Sequence, residues 1–413
     1  MEPNCYDAAS AWQILLDRHA GHRKGRGAED KNVARECYVR ISAHRVNWRR
    51  AAQGDTAAVS RGILALRRRA LRSMIQTELP ELIELQRIIE AGGTQLEARI
   101  VCEVRSGDRR FPVHAISLGN PSPEVPSVGF FGGIHGLERI GAEVVIAYLR
   151  SLVMRLQWDS MLRRQLELVR FVFMPLVNPG GMSLGTRANP SGVDLMRNAP
   201  VNATEHVPFL IGGQRIGARL PWYRGAAQGP MEMENEAVCK IVEEELLSRR
   251  FSIALDCHSG FGIRDRIWFP YAHTSRPVPH LPEIHALTQI FDRTHVHHTY
   301  VFEPQSHQYL THGDLWDYLY LRACAEPERT FLPLTLEMGS WMWVRKNPRQ
   351  LFTRHGIFNP LVLHRQQRVL RRHMPWLDFV ARAACSHGRW IPTGAERREH
   401  QAQALSRWYG EAP

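Results

Sequence analysis

Val125-Pro126-Ser127-Val128-Gly129-Phe130-Phe131-Gly132-Gly133-Ile134-His135-Gly136-Leu137-Glu138 is an apolar run that ends in a glycine pair and a short polar loop. Apolar residues at helical spacing follow it from Ile140 to Leu156. An uninterrupted apolar run suits a strand buried on both faces, so the stretch predicts strand, loop and helix in that order. The same order recurs downstream. Val169 to Val177 stops at Asn178-Pro179-Gly180-Gly181, Phe251 to Cys257 stops at His258-Ser259-Gly260, and Leu332 to Leu336 stops at Glu337. Glu232 to Arg249 has helical spacing between two of these runs.

Upstream, Leu79 to Ala91 is helix-spaced and stops at Gly92-Gly93. Ala98 to Val104 and Phe111 to Leu118 then read as a hairpin around Ser106-Gly107-Asp108. Buried strands alternating with helices predict an α/β fold with a mixed, largely parallel central sheet and helices on both faces. In such a sheet the ligand crevice lies beyond the carboxyl ends of the strands, where His135, Glu138, His258 and Glu337 fall.

We expect this catalytic domain over residues 74–390, a basic helical or partly disordered extension over 1–73, and a C-terminal tail over 391–413. The extension carries 15 Lys and Arg against 7 Asp and Glu, so it holds +8 of the formal net charge of +12. Such a leader would attract nucleic acid or an anionic surface without specificity, although a solvated arm is the simpler account. No apolar run approaches the ~20 residues of a membrane span. The first residues, with Asp7 and Asp17, lack the pattern of a secretory signal. Seven scattered cysteines without a Cys-x-x-Cys pair suit reduced thiols and a cytoplasmic location.

A catalytic zinc site needs three protein ligands and keeps a fourth position for water. His135 and Glu138, three residues apart at a loop-to-helix junction, supply two, and His258 is the candidate third. Glu337 ends an apolar strand, where a carboxylate needs a reason to be. His295-Val296-His297-His298 is expected to present exposed histidines on a strand, and Cys257 to be a small buried residue. Gly212-Gly213 and Gly225 to Gly229 flank Arg219-Leu220-Pro221-Trp222-Tyr223-Arg224, which reads either as a lid or as an ordinary long loop.

The order His135-x-x-Glu138, Arg187, Asp194-x-x-Arg197-Asn198, His258-Ser259, Tyr309 and Glu337 resembles the zinc metallocarboxypeptidases over about Glu78 to Arg382. The resemblance implies one zinc ion per chain on His135, Glu138 and His258, with Glu337 as general base and acid. It implies Arg187 as the group that polarises the scissile carbonyl and Arg197, with Asn198 beside it, as the grip on the substrate's terminal carboxylate. Ser259 and Tyr309 would contact substrate, Tyr309 as the mobile cover, and Trp316 would lie near the terminal side chain. Two positions depart from the pattern. Met196 replaces a usual Asn, so an amide donor is lost, and Gly136-Leu137 replaces a usual Arg.

The function so implied is zinc-dependent hydrolysis of an amide bond in a peptide or peptide-like substrate with a free carboxylate. One alternative is an N-acyl amino acid deacylase resembling aspartoacylase and succinylglutamate desuccinylase. A second is a non-catalytic zinc-containing binding protein recruited through its basic leader.

Overall fold

In a computed structural model, residues 79–410 are described; the 1–73 extension lies outside them. Eight strands form one sheet: β1 (Glu97–Ser106), β2 (Arg109–Gly119), β3 (Ser127–Gly132), β4 (Arg170–Met174), β5 (Phe251–Ser259), β6 (Arg266–Phe269), β7 (Val301–Pro304) and β8 (Thr330–Met338). Their order is β1-β2-β4-β3-β5-β8-β6-β7. The four central strands, β4, β3, β5 and β8, run parallel, while β1, β2 and β6 join antiparallel to their inner neighbours. The expected α/β class, mixed and largely parallel, is what the chain adopts.

Ten α-helices are described: α1 (Pro80–Gly92), α2 (Arg139–Arg155), α3 (Ser160–Leu166), α4 (Pro179–Leu184), α5 (Met233–Glu245), α6 (Leu281–Thr294), α7 (Leu315–Ala323), α8 (Trp341–Lys346), α9 (Leu363–Cys385) and α10 (Gly394–Tyr409). Every residue of β3, β4 and β5 is buried. Successive side chains of a strand point to opposite faces. On β3, Phe130 accordingly meets Tyr148 of α2 at 5.0 Å between ring centres, and Phe131 meets Trp316 of α7 at 4.9 Å. Helices thus cover both faces, and the continuous apolar runs are the physical consequence.

Within the span 391–413 expected as a tail, the described residues 391–410 contribute α10. The buried Trp408 donates its indole N–H to the Phe302 carbonyl at 2.8 Å, and Arg397 pairs with Glu283 at 2.7 Å. Helix α10 therefore packs within the compact unit that begins at Glu81. No described helix is long and apolar enough to cross a membrane.

Candidate metal centre and substrate cleft

β5 and β8 pair His258 with Glu337 in register, so the two side chains emerge side by side on one face of the sheet. Asp256, two residues before His258, shares that face. β3 ends opposite Cys257, and the chain turns at Gly133, with φ 65°, to reach His135 and Glu138 at the entry to α2. The helix then passes close to β5: a Cβ on Gly141 would lie 2.1 Å from the Cys257 carbonyl oxygen. Only glycine permits this approach, which brings His258 to Glu138.

Glu138 precedes α2 but does not cap it with its side chain. Asn359 does that work: its Oδ1 accepts from the Ile140 N–H at 3.0 Å, and its amide donates to the Leu137 carbonyl at 2.7 Å. The Glu138 carboxylate is left for the site, where Oε2 accepts from the Ser259 N–H at 2.9 Å and lies 3.0 Å from His258 Nδ1. His135, Glu138 and His258 are all buried, and one donor atom from each lies within 4.8 Å of the others. Among the described residues this is the one group of three His, Cys, Asp or Glu able to hold a metal ion.

The surroundings fit such an ion. Asp256 Oδ2 lies 2.6 Å from His258 Nε2 and orients the ring so that Nδ1 faces the cluster, the arrangement that tunes metal-binding histidines. His135 Nδ1 is buried without a hydrogen-bond partner, 3.7 Å from Asp194 Oδ1. Burial, followed by the charge of Arg187, holds this ring well below the ordinary histidine range, so it stays neutral and keeps a lone pair to give. Two imidazoles and one carboxylate form a donor set that zinc favours.

Arg187 bridges the cluster. Its Nε donates to Asp194 Oδ2 at 2.8 Å, Nη1 donates to Glu138 Oε1 at 3.2 Å, and Nη2 lies 2.7 Å from His135 Nε2. Glu337 Oε1 accepts from the Phe261 N–H at 3.1 Å. Burial, with the Glu138 carboxylate second, pushes the Glu337 carboxyl up to about 8; a cation on the cluster would bring it down.

Near the cluster lies Arg197, buried, with Nε donating to the Ile211 carbonyl at 3.1 Å and Nη1 to the Met196 carbonyl at 3.0 Å. The Tyr309 ring centre is 5.8 Å from its guanidinium carbon, and the same ring stands 6.2 Å from Trp268 and 6.4 Å from Phe261. Gly313, at φ 73°, is needed here because a Cβ would fall 1.9 Å from the Arg197 carbonyl oxygen.

Three expected substrate contacts are placed otherwise. Asn198 spends its amide on main chain, donating to the Arg224 carbonyl at 3.0 Å and accepting from the Glu232 N–H at 2.7 Å. The Ser259 hydroxyl donates to the Phe358 carbonyl at 2.7 Å, so its N–H on Glu138 is what serves the site. Trp316 is buried beneath the centre and donates its indole N–H to Asp256 at 2.8 Å. Cys257 faces away from the cluster, buried, its thiol raised well above the ordinary range by burial and then by Asp256.

Asp256 and Asn359 carried no assigned role in the sequence. The signal for Asp256 was its spacing of two from His258 on a strand. Nothing local pointed to Asn359.

Residues 106–340 match the family model described as zinc carboxypeptidase. The chain belongs to that family. It is 29% identical over 93 residues to carboxypeptidase SOL1 of Arabidopsis thaliana, covering 22% of this chain and 19% of that protein. It is 23% identical over 182 residues to carboxypeptidase D of Anas platyrhynchos, covering 42% of this chain and 11% of that protein. The match thus spans less than a fifth of either relative's length.

Among solved structures, bovine thrombin-activatable fibrinolysis inhibitor is similar at a TM-score of 0.53 and 16% identity, over 73% of this chain and 94% of that one. Carboxypeptidase A from Helicoverpa armigera is similar at 0.51 and 16% identity, over 73% and 71%. At such identity these neighbours speak for the fold.

Proposed function

We propose that this chain is a zinc-dependent amide hydrolase that releases the terminal residue from a peptide or peptide-like substrate with a free carboxylate. The observation that carries the reading is Glu337, a buried carboxylate in strand register beside His258 of the metal-binding cluster. Zinc on His135, Glu138 and His258 would supply a Lewis acid for the carbonyl and a water of lowered pKa.

The chain's own groups do the rest. Phe261 fixes Oε1 of Glu337, which leaves Oε2 to take the proton of the attacking water and to return it to the leaving amine. Arg187, held by Asp194, presents its guanidinium to the negative charge that develops on the carbonyl oxygen. Arg197 has Nε and Nη1 committed to main-chain carbonyls, engages the Tyr309 side chain, and meets the terminal carboxylate with its guanidinium.

Met196 favours a second reading, an N-acyl amino acid deacylase, because a thioether gives a peptide's terminal carboxylate no amide donor. One panel separates the two. Amine release from free-acid peptides, their C-terminal amides and N-acyl amino acids is followed with and without a chelator, beside zinc content. Chelator-sensitive release from the free-acid peptides alone supports the first reading. Release from the N-acyl amino acids alone transfers the chain to the second. Zinc-loaded protein that releases no amine from any substrate overturns both.

A further inference from the structure

The loop from Gly212 to Pro230 holds Arg215, Arg219 and Arg224 and no Asp or Glu. It is fastened to the segment that carries Arg197. The Asp194 N–H donates to the Tyr223 carbonyl at 2.8 Å, and Arg224 Nε donates to the Arg197 carbonyl at 3.2 Å. Within the loop, Gln214 Nε2 donates to the carbonyls of Gly217, Leu220 and Pro221. A Cβ on Gly213 would lie 3.1 Å from Arg224 Cδ and 3.3 Å from Arg197 Cδ, so the stems of both arginines border this one glycine.

Neither Arg224 nor Arg215 has a carboxylate partner among the described residues. Arg224 is 6% exposed and donates only to the carbonyls of Arg197 and Val201 and to Asn202 Oδ1. Arg215 donates to the carbonyls of Gly225 and Ala226. Burial, then the charges of Arg215 and Arg197, lower the Arg224 guanidinium to about 10, which leaves it charged at neutral pH. The nearby acids do not balance this charge. Asp194 is taken by Arg187, and the Asp314 carboxyl is pushed up to about 7 by burial and then by Asp317.

A buried cation whose acceptors are all neutral is costly. Elsewhere in this chain the buried Arg170 is answered by Glu97 and Glu245. One carboxylate on Arg197 would offset a single charge and leave Arg224 and Arg215 unanswered.

We propose that this end of the cleft is a subsite for a second negative charge, so that the preferred released residue is acidic, its α-carboxylate on Arg197 and its side-chain carboxylate drawn toward Arg224 and Arg215. This rests on the hydrolase reading above. Glutamate and glutamine are nearly isosteric, so substrates ending in one or the other isolate the charge.

The test measures kcat/KM for such a matched pair with the zinc-loaded protein at low and high salt, for wild type and Arg215→Gln. Arg215 is exposed, whereas replacing the buried Arg224 threatens folding. Expected are a Glu-over-Gln ratio of about tenfold or more carried by KM, a smaller ratio at high salt, and a several-fold smaller ratio in Arg215→Gln. Equal rates for the two substrates overturn the subsite and leave the hydrolase reading standing.

If neither substrate is cleaved, the free-acid peptides of the wider panel above judge the hydrolase reading. Calorimetric binding of free glutamate and free glutamine then judges the subsite alone, and glutamate binding no tighter than glutamine overturns it.

Discussion

The two ends of the cleft treat charge in opposite ways. At the metal-binding end the cation answers to acids: Arg187 lies on Asp194 and Glu138, while Asp256 and Glu138 flank His258. At the far end Arg197 and Arg224 rest on carbonyl oxygens, one amide oxygen and the Tyr309 side chain. The first arrangement gathers more acid than the chain's own cations balance, which suits a bound metal. The second leaves positive charge for something else to meet, which suits a substrate.

The sharpest way to break this contrast is Glu337→Gln. The amide keeps the shape and cannot take a proton, so turnover should fall by roughly 10²–10⁴-fold while zinc content, measured on the purified variant, stays at the wild-type level. Retention of most activity would remove Glu337 from the mechanism. Asp256→Asn comes next. It keeps an acceptor for His258 Nε2 but loses the charge behind the ring, so zinc affinity in a chelator competition should fall about 10–100-fold.

How far the site was readable from sequence does not follow that division. His135 and Glu138 follow β3 while His258 and Glu337 lie in the last residues of β5 and β8, and a polar residue at the end of an apolar run is conspicuous because burying it is costly. The central sheet was readable for a related reason, since strands buried on both faces are continuous apolar runs. Side-chain direction was not readable. Asn198, Ser259 and Trp316 have suitable chemistry for a cleft, yet each is spent on a partner 26 to 99 residues away in the chain. Helix α10 was missed because few of its side chains are buried, chiefly Ala404 and Trp408, too few for a periodic signal.

Gly141→Ala probes the backbone approach that brings His258 to Glu138. The new methyl would press on the Cys257 carbonyl, and overpacking of this kind costs about 1–3 kcal/mol. Chemical denaturation should show that loss, and zinc binding should weaken with it because α2 must move from β5. Unchanged stability and unchanged affinity would mean that the close approach does not set the geometry of the cluster.

The smallest expected effect separates a charge that matters by place from one that merely adds to the total. Arg219 is exposed, has no partner among the described residues, and does not contribute to the shifts of Arg224 or His312, whereas Arg215 contributes to both. Arg219→Gln removes the same unit of charge from the same loop as Arg215→Gln. Stability should stay within about 0.5 kcal/mol of wild type, and the Glu-over-Gln ratio should be unchanged, both measured beside the Arg215 variant. If the two variants lower that ratio equally, the loop acts only through its net charge, and the specific placement of Arg215 near Arg224 carries no selectivity.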